Sequence, residues 1–200
     1  IQMDGLAAAL RDPVVSEALV RANAAVSVVQ WTGASRQDQT VPWRRIDGFD
    51  AVEALAKEIA QAPRRWFIYS TAIGEALDFA RISFSKVADC AERVIDVSGD
   101  GRSNEGVDPT NLHPALRADD VIVNALVIEG AEHDLLAYFH DNVITGPNSF
   151  AITASSFEDY PARIREKLRR ELAIALSWGD ESCRAQGDCD HTNIGRDHKL

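Results

Sequence analysis

The sequence predicts an α/β fold in which a doubly wound, mostly parallel sheet carries helices on both faces. Segments of strand length that are rich in β-branched residues alternate with segments in which apolar residues recur every three or four positions. In addition, residues 121–127 are apolar at every position except one. Strands separated by helices pair in parallel, and a strand without polar alternation is covered on both of its faces. Together these observations define the fold class.

The first part of the chain predicts two short helices followed by two neighbouring strands. Residues 1–11 and 14–22 have the apolar spacing of helices, and Pro13 separates them. Residues 25–31 are rich in β-branched side chains and predict a strand. Residues 40–43 predict a second, short strand, and its proline favours the edge of the sheet because proline has no N–H to donate.

The remaining elements continue the alternation of helix and strand. They are a helix around Val52–Ile59 that ends before Pro63, a helix opened by Thr71, a strand at 93–98, a strand at 121–127, a helix at about 131–141, a strand at 149–153, and a last helix capped by Ser155 or Ser156 with Glu158 or Asp159 three residues later. We expect residues 1–176 to form one domain. Residues 177–200 are polar and lack this pattern, and we expect a disordered tail there.

Charge and composition limit the classes of partner. The chain has 21 basic and 31 acidic residues and a net charge of −10, which repels phosphate backbones, so we expect no nucleic-acid partner. No apolar run reaches the roughly 18 residues of a membrane span. The three cysteines, Cys90, Cys183 and Cys189, are too few for a disulfide scaffold and leave the cellular compartment open.

Two loops lie where such a fold binds ligands, at the carboxyl ends of predicted strands. Thr71 lies in the loop 69–74 at the start of a helix, where its hydroxyl can cap the helix or bind a hard cation. Asp100 lies between two glycines after the strand 93–98 and presents a carboxylate just beyond the sheet. Each residue also has a purely structural interpretation, Thr71 as a helix cap and Asp100 as a turn residue.

The two loops together resemble the von Willebrand factor A domain. The resemblance rests on Ser-Thr-Ala-Ile-Gly-Glu-Ala-Leu at 70–77 and Val-Ile-Asp-Val-Ser-Gly-Asp-Gly at 94–101, in this order and at this separation. The sequence is more similar still to an uncharacterised bacterial branch of that superfamily. The segments that carry this second likeness are 4–9, 41–43, 95–101, 146–150 and 157–159, and the resemblance covers about residues 1–175.

The resemblance implies a metal-ion-dependent adhesion site, abbreviated MIDAS, in a non-enzymatic protein-binding module. In the family, a divalent cation bridges the domain to an acidic group of a protein partner. Its ligands come from an Asp-x-Ser-x-Ser motif after the first strand, a threonine in a second loop and an aspartate in a third. Thr71 and Asp100 match the second and third positions. Such oxygen ligands suit Mg²⁺, Mn²⁺ or Ca²⁺.

The first ligand motif of the family has no counterpart in this sequence. In the family it follows a central first strand, which precedes the helix with which this sequence opens. We therefore expect an N-terminal truncation that removes this strand; the alternative is a degenerate, metal-free domain. If the removed segment carried a signal peptide, the protein would be periplasmic or secreted. Asp96-x-Ser98-x-Asp100 looks like the missing motif, but Asp96 and Ser98 lie within a strand, and only Asp100 aligns with the site.

A hydrolase or nucleotide-binding protein on a similar sheet is the alternative function, since a fold does not determine a function. Gly99, Gly101 and Gly106 have the wrong spacing for a dinucleotide-binding fingerprint, and no helix opens directly on them. A Gly-x-Ser-x-Gly nucleophile motif is absent from the sequence. The residues therefore favour the binding module.

Overall fold

The computed structural model describes residues 2–66, 70–130 and 134–186, with side chains described up to residue 173. In chain order the elements are α1 (Gln2–Leu10), α2 (Pro13–Arg21), β1 (Ala25–Trp31), β2 (Gln37–Arg45), α3 (Phe49–Gln61), α4 (Ile73–Ser83), β3 (Arg93–Gly99), α5 (His113–Ala118), β4 (Val121–Ile128), α6 (Leu135–Asn142), β5 (Ala151–Ala154) and α7 (Tyr160–Gln186). Short 3₁₀ turns at Phe84–Val87 and Pro109–Leu112 follow α4 and precede α5. The predicted α/β alternation is confirmed.

The strands form two separate sheets. β3, β4 and β5 pair in parallel in the order β3-β4-β5, with Arg93 opposite Val121 and Ala125 opposite Ala151. β1 and β2 form an antiparallel pair. The register of this pair shifts around Val28, where β2 passes through its proline, so the residue without an N–H lies at an irregularity of the ladder.

Two layers of helices cover the sheets, as predicted. On one face, α4, α5 and α6 pack against the odd-numbered residues of β4 from Val121 to Val127. On the other face, α1 and α7 pack against Leu126 and Ile128. α2 and α3 join α1 and α7 in covering Val26 and Val28 of β1. β4 is buried on both faces, which explains its nearly continuous apolar sequence.

β1 and β3 run in the same direction, because their carboxyl ends reach the same loop. The backbone N–H of Ala72 donates to the carbonyl of Thr32, just after β1, at 3.1 Å. The backbone N–H of Asn104, in the loop after β3, donates to the carbonyl of Thr71 at 2.8 Å. The loop between α3 and α4 therefore connects the carboxyl ends of both strands.

The amino-terminal ends of β1 and β3 also lie close together. Ala25 at the start of β1 pairs with Arg45 of β2. The Arg45 guanidinium forms a 2.6 Å ion pair with Asp89, which lies four residues before β3 begins at Arg93. Although the strands are aligned at both ends, no described strand pairs with either of them on the sides that face each other. Between them lies a cleft of about 960 Å³, called here the inter-sheet cleft.

Some boundaries differ from the expectations. α7 continues to Gln186, so residues 177–186 are helical where we expected a tail without regular structure, and 187–200 lie outside the described residues. The last helix begins at Tyr160, after a turn in which Ser156 Oγ accepts the Asp159 N–H at 3.3 Å. Among the described helices, none is long and apolar enough to cross a membrane.

Candidate functional site

The candidate site is formed by two loops at the carboxyl ends of β1 and β3. The first site loop, residues 70–72, precedes α4, and the second site loop, residues 100–108, follows β3. Thr71 lies in the first and Asp100 in the second, as the sequence predicts. Parallel strands place such loops side by side at one edge of a sheet, which is where doubly wound folds bind ligands.

The main chain of Thr71 holds the two loops together. Its N–H donates to Asn104 Oδ1 at 2.9 Å, and its carbonyl accepts the Asn104 N–H at 2.8 Å. The same carbonyl accepts the Ser103 hydroxyl at 3.2 Å and the Glu105 N–H at 3.3 Å. The peptide groups of Thr71 are thus satisfied by the second site loop, and its position relative to that loop is fixed by several hydrogen bonds.

Thr71 does not cap α4, so the prediction that it opens this helix is wrong. α4 begins at Ile73, and the residue at the cap position is Ala72, whose side chain makes no capping bond. Instead, Ser103 Oγ accepts the N–H of Ile73 at 3.3 Å. Since the second site loop supplies the capping oxygen, the hydroxyl of Thr71 is not needed for that purpose.

The side-chain oxygens of Thr71 and Asp100 remain available. Thr71 is half-buried and Asp100 is exposed. Within residues 2–66, 70–130 and 134–173, neither the Thr71 hydroxyl nor the Asp100 carboxylate has a hydrogen-bond or ion-pair partner. A hydroxyl and a carboxylate left free beside a well-bonded backbone are suited to a ligand.

Two further carboxylates support the loops. Glu105 Oε1 accepts the N–H of Ala34 at 3.2 Å, and the pKa of Glu105 is lowered first by the Ser70 hydroxyl and then by this N–H. Glu75 Oε1 accepts the N–H of Val107 at 2.7 Å. The second oxygen of Glu75 is buried and has no partner among the described residues. Glu105 and Glu75 therefore link the second site loop to the segment after β1 and to α4.

Asp96 belongs to a different environment from Asp100. Its carboxylate forms an ion pair with the fully buried ammonium of Lys167 on α7. Ser98, two residues later, forms a 3.2 Å hydrogen bond with the hydroxyl of Tyr160. Both side chains contact α7, whereas Asp100 lies beyond the end of β3. The Asp-x-Ser-x-Asp spacing thus does not bring Asp96 and Ser98 into the candidate site.

The donor atoms of the site are of the types that bind a hard cation. Thr71 and Asp100 offer a hydroxyl and a carboxylate oxygen, which are ligands of Mg²⁺, Mn²⁺ and Ca²⁺. Such ions take about six oxygen ligands, so these two residues alone would leave most positions to water or to a partner. No cluster of three or more His, Cys, Asp or Glu side chains that could hold a metal ion occurs among the described residues.

Residues 1–176 match the family described as "Protein of unknown function (DUF1194)". The chain belongs to this family. The match covers the whole of the domain expected from the sequence, from the first helix to α7. No curated protein matches this DUF1194 chain at a significant level.

Solved structures similar to the DUF1194 chain include proximal thread matrix protein 1 from the mussel byssus. One structure of that protein has a TM-score of 0.61 at 22% identity over 84% of this chain and 42% of the other. A second, described as having a zinc-occupied MIDAS motif, has a TM-score of 0.58 at 25% identity over 74% of this chain and 35% of the other. The DUF1194 chain thus spans less than half the length of these chains, and the likeness places it in the von Willebrand factor A-like, Rossmann-like fold.

The sequence predicts the second site loop, but no pattern in it indicates a function for Ser103, Asn104, Glu105 or Glu75. Their contacts join segments that are about 30 to 70 residues apart. The only local signal was a Ser-Asn-Glu-Gly run just after the Gly-Asp-Gly turn, a polar composition that is common in ordinary loops.

Proposed function

We propose that the protein is a non-enzymatic protein-binding module that holds a divalent cation through Thr71 and Asp100. The cation, Mg²⁺ or one of similar ligand preference, would bridge these oxygens to an acidic group of a protein partner. The two residues would fix the ion at the edge of the sheet, and the ion would supply a positive charge that an acidic surface otherwise lacks. Water and the partner's carboxylate would fill the remaining positions.

One observation carries this proposal: a hydroxyl and a carboxylate with no partner among the described residues lie on loops that are tied to each other by the backbone of Thr71. The net charge of −10 makes direct binding of an acidic partner unfavourable, and a bound cation would remove this obstacle locally. The byssus protein with a zinc-occupied MIDAS motif supports metal binding on a similar fold.

The direct test is Mn²⁺ binding, measured by titration calorimetry, with Mg²⁺, Ca²⁺ and Zn²⁺ as competitors. We expect Thr71→Ala and Asp100→Ala each to weaken Mn²⁺ binding at least about tenfold, because each removes one ligand. Neither change should lower the midpoint of urea unfolding appreciably, since neither side chain has a hydrogen-bond partner in the described part of the fold. Asp47→Ala, which removes an exposed loop carboxylate elsewhere, is the matched control and should bind as the unchanged protein does.

Two results would contradict the proposal. In the first, both variants keep the full Mn²⁺ affinity, and then Thr71 and Asp100 are structural loop residues. In the second, ATP or NAD raises the melting temperature in the presence of EDTA, whereas Mg²⁺ and Mn²⁺ do not. That result would favour the nucleotide-binding alternative.

A further inference from the structure

Arg102 carries a positive charge on the same loop as Asp100. It lies two residues after Asp100 in the second site loop, and it is exposed. Consecutive Cα atoms are about 3.8 Å apart, so the Cα atoms of these two residues lie within about 7.6 Å of each other. In a chain with a net charge of −10, this arginine places a positive charge beside the carboxylate of the candidate site.

An aromatic ring of α6 determines where the Arg102 guanidinium lies. The central carbon of the guanidinium is 5.0 Å from the centre of the Tyr138 ring, which is a cation–π contact. The Tyr138 hydroxyl accepts the Ser103 N–H at 3.2 Å, and the Ser103 hydroxyl donates to the carbonyl of Thr71 at 3.2 Å. The guanidinium is therefore held in a defined position relative to Thr71 by contacts that run through Tyr138 and Ser103.

A guanidinium held in this way is suited to bind a carboxylate of a partner. It has five N–H donors in one plane, and the ring contact that positions it uses its face rather than these donors. Exposed ion pairs are usually weak, in part because two long side chains lose their freedom when they form. Since the ring already restrains Arg102, less of this entropy is lost when a carboxylate binds.

We propose that Arg102 determines specificity, so that the site selects a partner segment with two acidic side chains, one bound to the cation and one to the Arg102 guanidinium. This inference rests on the proposed function, because the first acid needs the cation held by Thr71 and Asp100. In an extended segment, side chains two residues apart lie on the same side and about 6.6 Å from each other. This spacing is similar to that of the Asp100 and Arg102 backbones, so the favoured ligand is an extended Asp-x-Asp segment.

The test compares three synthetic peptides binding to the intact protein in the presence of Mn²⁺, measured by fluorescence anisotropy. The first has the sequence Gly-Ser-Asp-Ser-Asp-Ser-Gly with both ends blocked, and in each of the other two one aspartate is replaced by asparagine. We expect the peptide with two acids to bind about fivefold more tightly than either peptide with one, because only it can contact the cation and Arg102 together.

Two variants separate a local contact from a general effect of charge. Arg102→Gln should reduce the preference for two acids to about twofold or less, which is the statistical advantage of offering two acids to one cation. Arg165→Gln is the matched control, since it removes an exposed arginine of α7 and changes the net charge of the chain equally. It should keep the fivefold preference. Thermal unfolding of both variants verifies that they are folded.

The inference and the proposed function can fail separately. If Arg102→Gln keeps the fivefold preference, the second acid binds elsewhere and the inference is wrong, even where peptide binding requires Mn²⁺. Equal affinity of the unchanged protein for all three peptides, including no detectable binding of any, would also overturn it, and the Mn²⁺ titration then decides the proposed function alone. If the preference depends on Arg102 but persists in EDTA and in Asp100→Ala, Arg102 binds an acid as inferred and the cation bridge is wrong.

Discussion

Lys167 is a charged side chain with no exposure to solvent, and its partners explain why the fold tolerates it. Burying an ammonium costs several kcal/mol unless it is paired and hydrogen-bonded. Lys167 binds Asp96 and, at 2.5 Å, Glu171, and it lies 5.6 Å from the centre of the Phe150 ring. Burial lowers the pKa of Lys167, but the two carboxylates outweigh burial and raise it overall, so the ammonium keeps its charge.

Glu171, in this cluster, has a pKa raised towards neutral pH. Burial, followed by the charge of Asp96, raises the pKa of Glu171 from 4.5 to about 7, although Lys167 and Asn124 oppose the rise. A carboxyl whose pKa is higher in the folded protein binds its proton more tightly there than in the unfolded chain. The folded state therefore loses stability through Glu171 as the pH rises from about 4.5 to about 7.

Glu171→Gln should remove this pH dependence. We expect the difference in free energy of unfolding, variant minus unchanged protein, to increase by roughly 3 kcal/mol between pH 4.5 and pH 8. This is the change that a pKa of about 7 in the folded protein, against 4.5 in the unfolded chain, implies. Urea unfolding at several pH values measures this difference. Glu166→Gln, on the same helix but exposed and paired with Arg163, is the control and should show no comparable trend. A difference that is constant with pH would mean that Glu171 is ionised throughout.

At the scale of elements, local sequence patterns predict the strands whose position depends on local interactions. β1 at Ala25–Trp31 matches the predicted strand residue for residue, and β3 and β4 are each one residue longer than predicted. A β-branched composition and a nearly continuous apolar run are properties of the segment itself. β2 was predicted as only four residues but extends over Gln37–Arg45, because pairing with β1 recruits polar residues that have no strand pattern of their own.

The start of α4 was mispredicted because its cap comes from a distant part of the chain. Thr71 has the residue type and position of a local N-cap. However, its backbone bonds to Ser103 and Asn104, and Ser103 caps Ile73 in its place. Nothing within a few residues of Thr71 indicates a partner 30 positions away. For the same reason, the sequence identified both site loops but not the hydrogen bonds that join them.

Gly74 in the first turn of α4 is required by the second site loop. A Cβ at this position would collide with the carbonyl oxygen of Val107. In an exposed helix, glycine to alanine stabilises by roughly 0.5–1 kcal/mol. Here we expect Gly74→Ala to destabilise the fold by about 1–3 kcal/mol, because the neighbouring atom is backbone and the loop must move. Thermal unfolding of the variant measures the loss of stability, and Mn²⁺ titration measures whether the displaced loop also changes metal binding.

Gly48 at the cap of α3 is a suitable control for this prediction. A Cβ there meets no atom within 4 Å, and its backbone is extended, with φ of −177°, a conformation open to any residue. Gly48→Ala should therefore change the stability little. Equal effects of the two substitutions would show that the second site loop does not press against α4.

At the scale of the whole molecule, helices rather than strand pairing hold the two sheets together. Lys167 of α7 forms an ion pair with Asp96 of β3, and Leu168 of α7 packs in the apolar cluster that covers β1. On the other face, Trp43 of β2 donates its indole N–H to the carbonyl of Ser83 at the end of α4, at 3.0 Å. These contacts keep β1 and β3 aligned on either side of the inter-sheet cleft. They explain how the cleft is framed without direct pairing between its two edges.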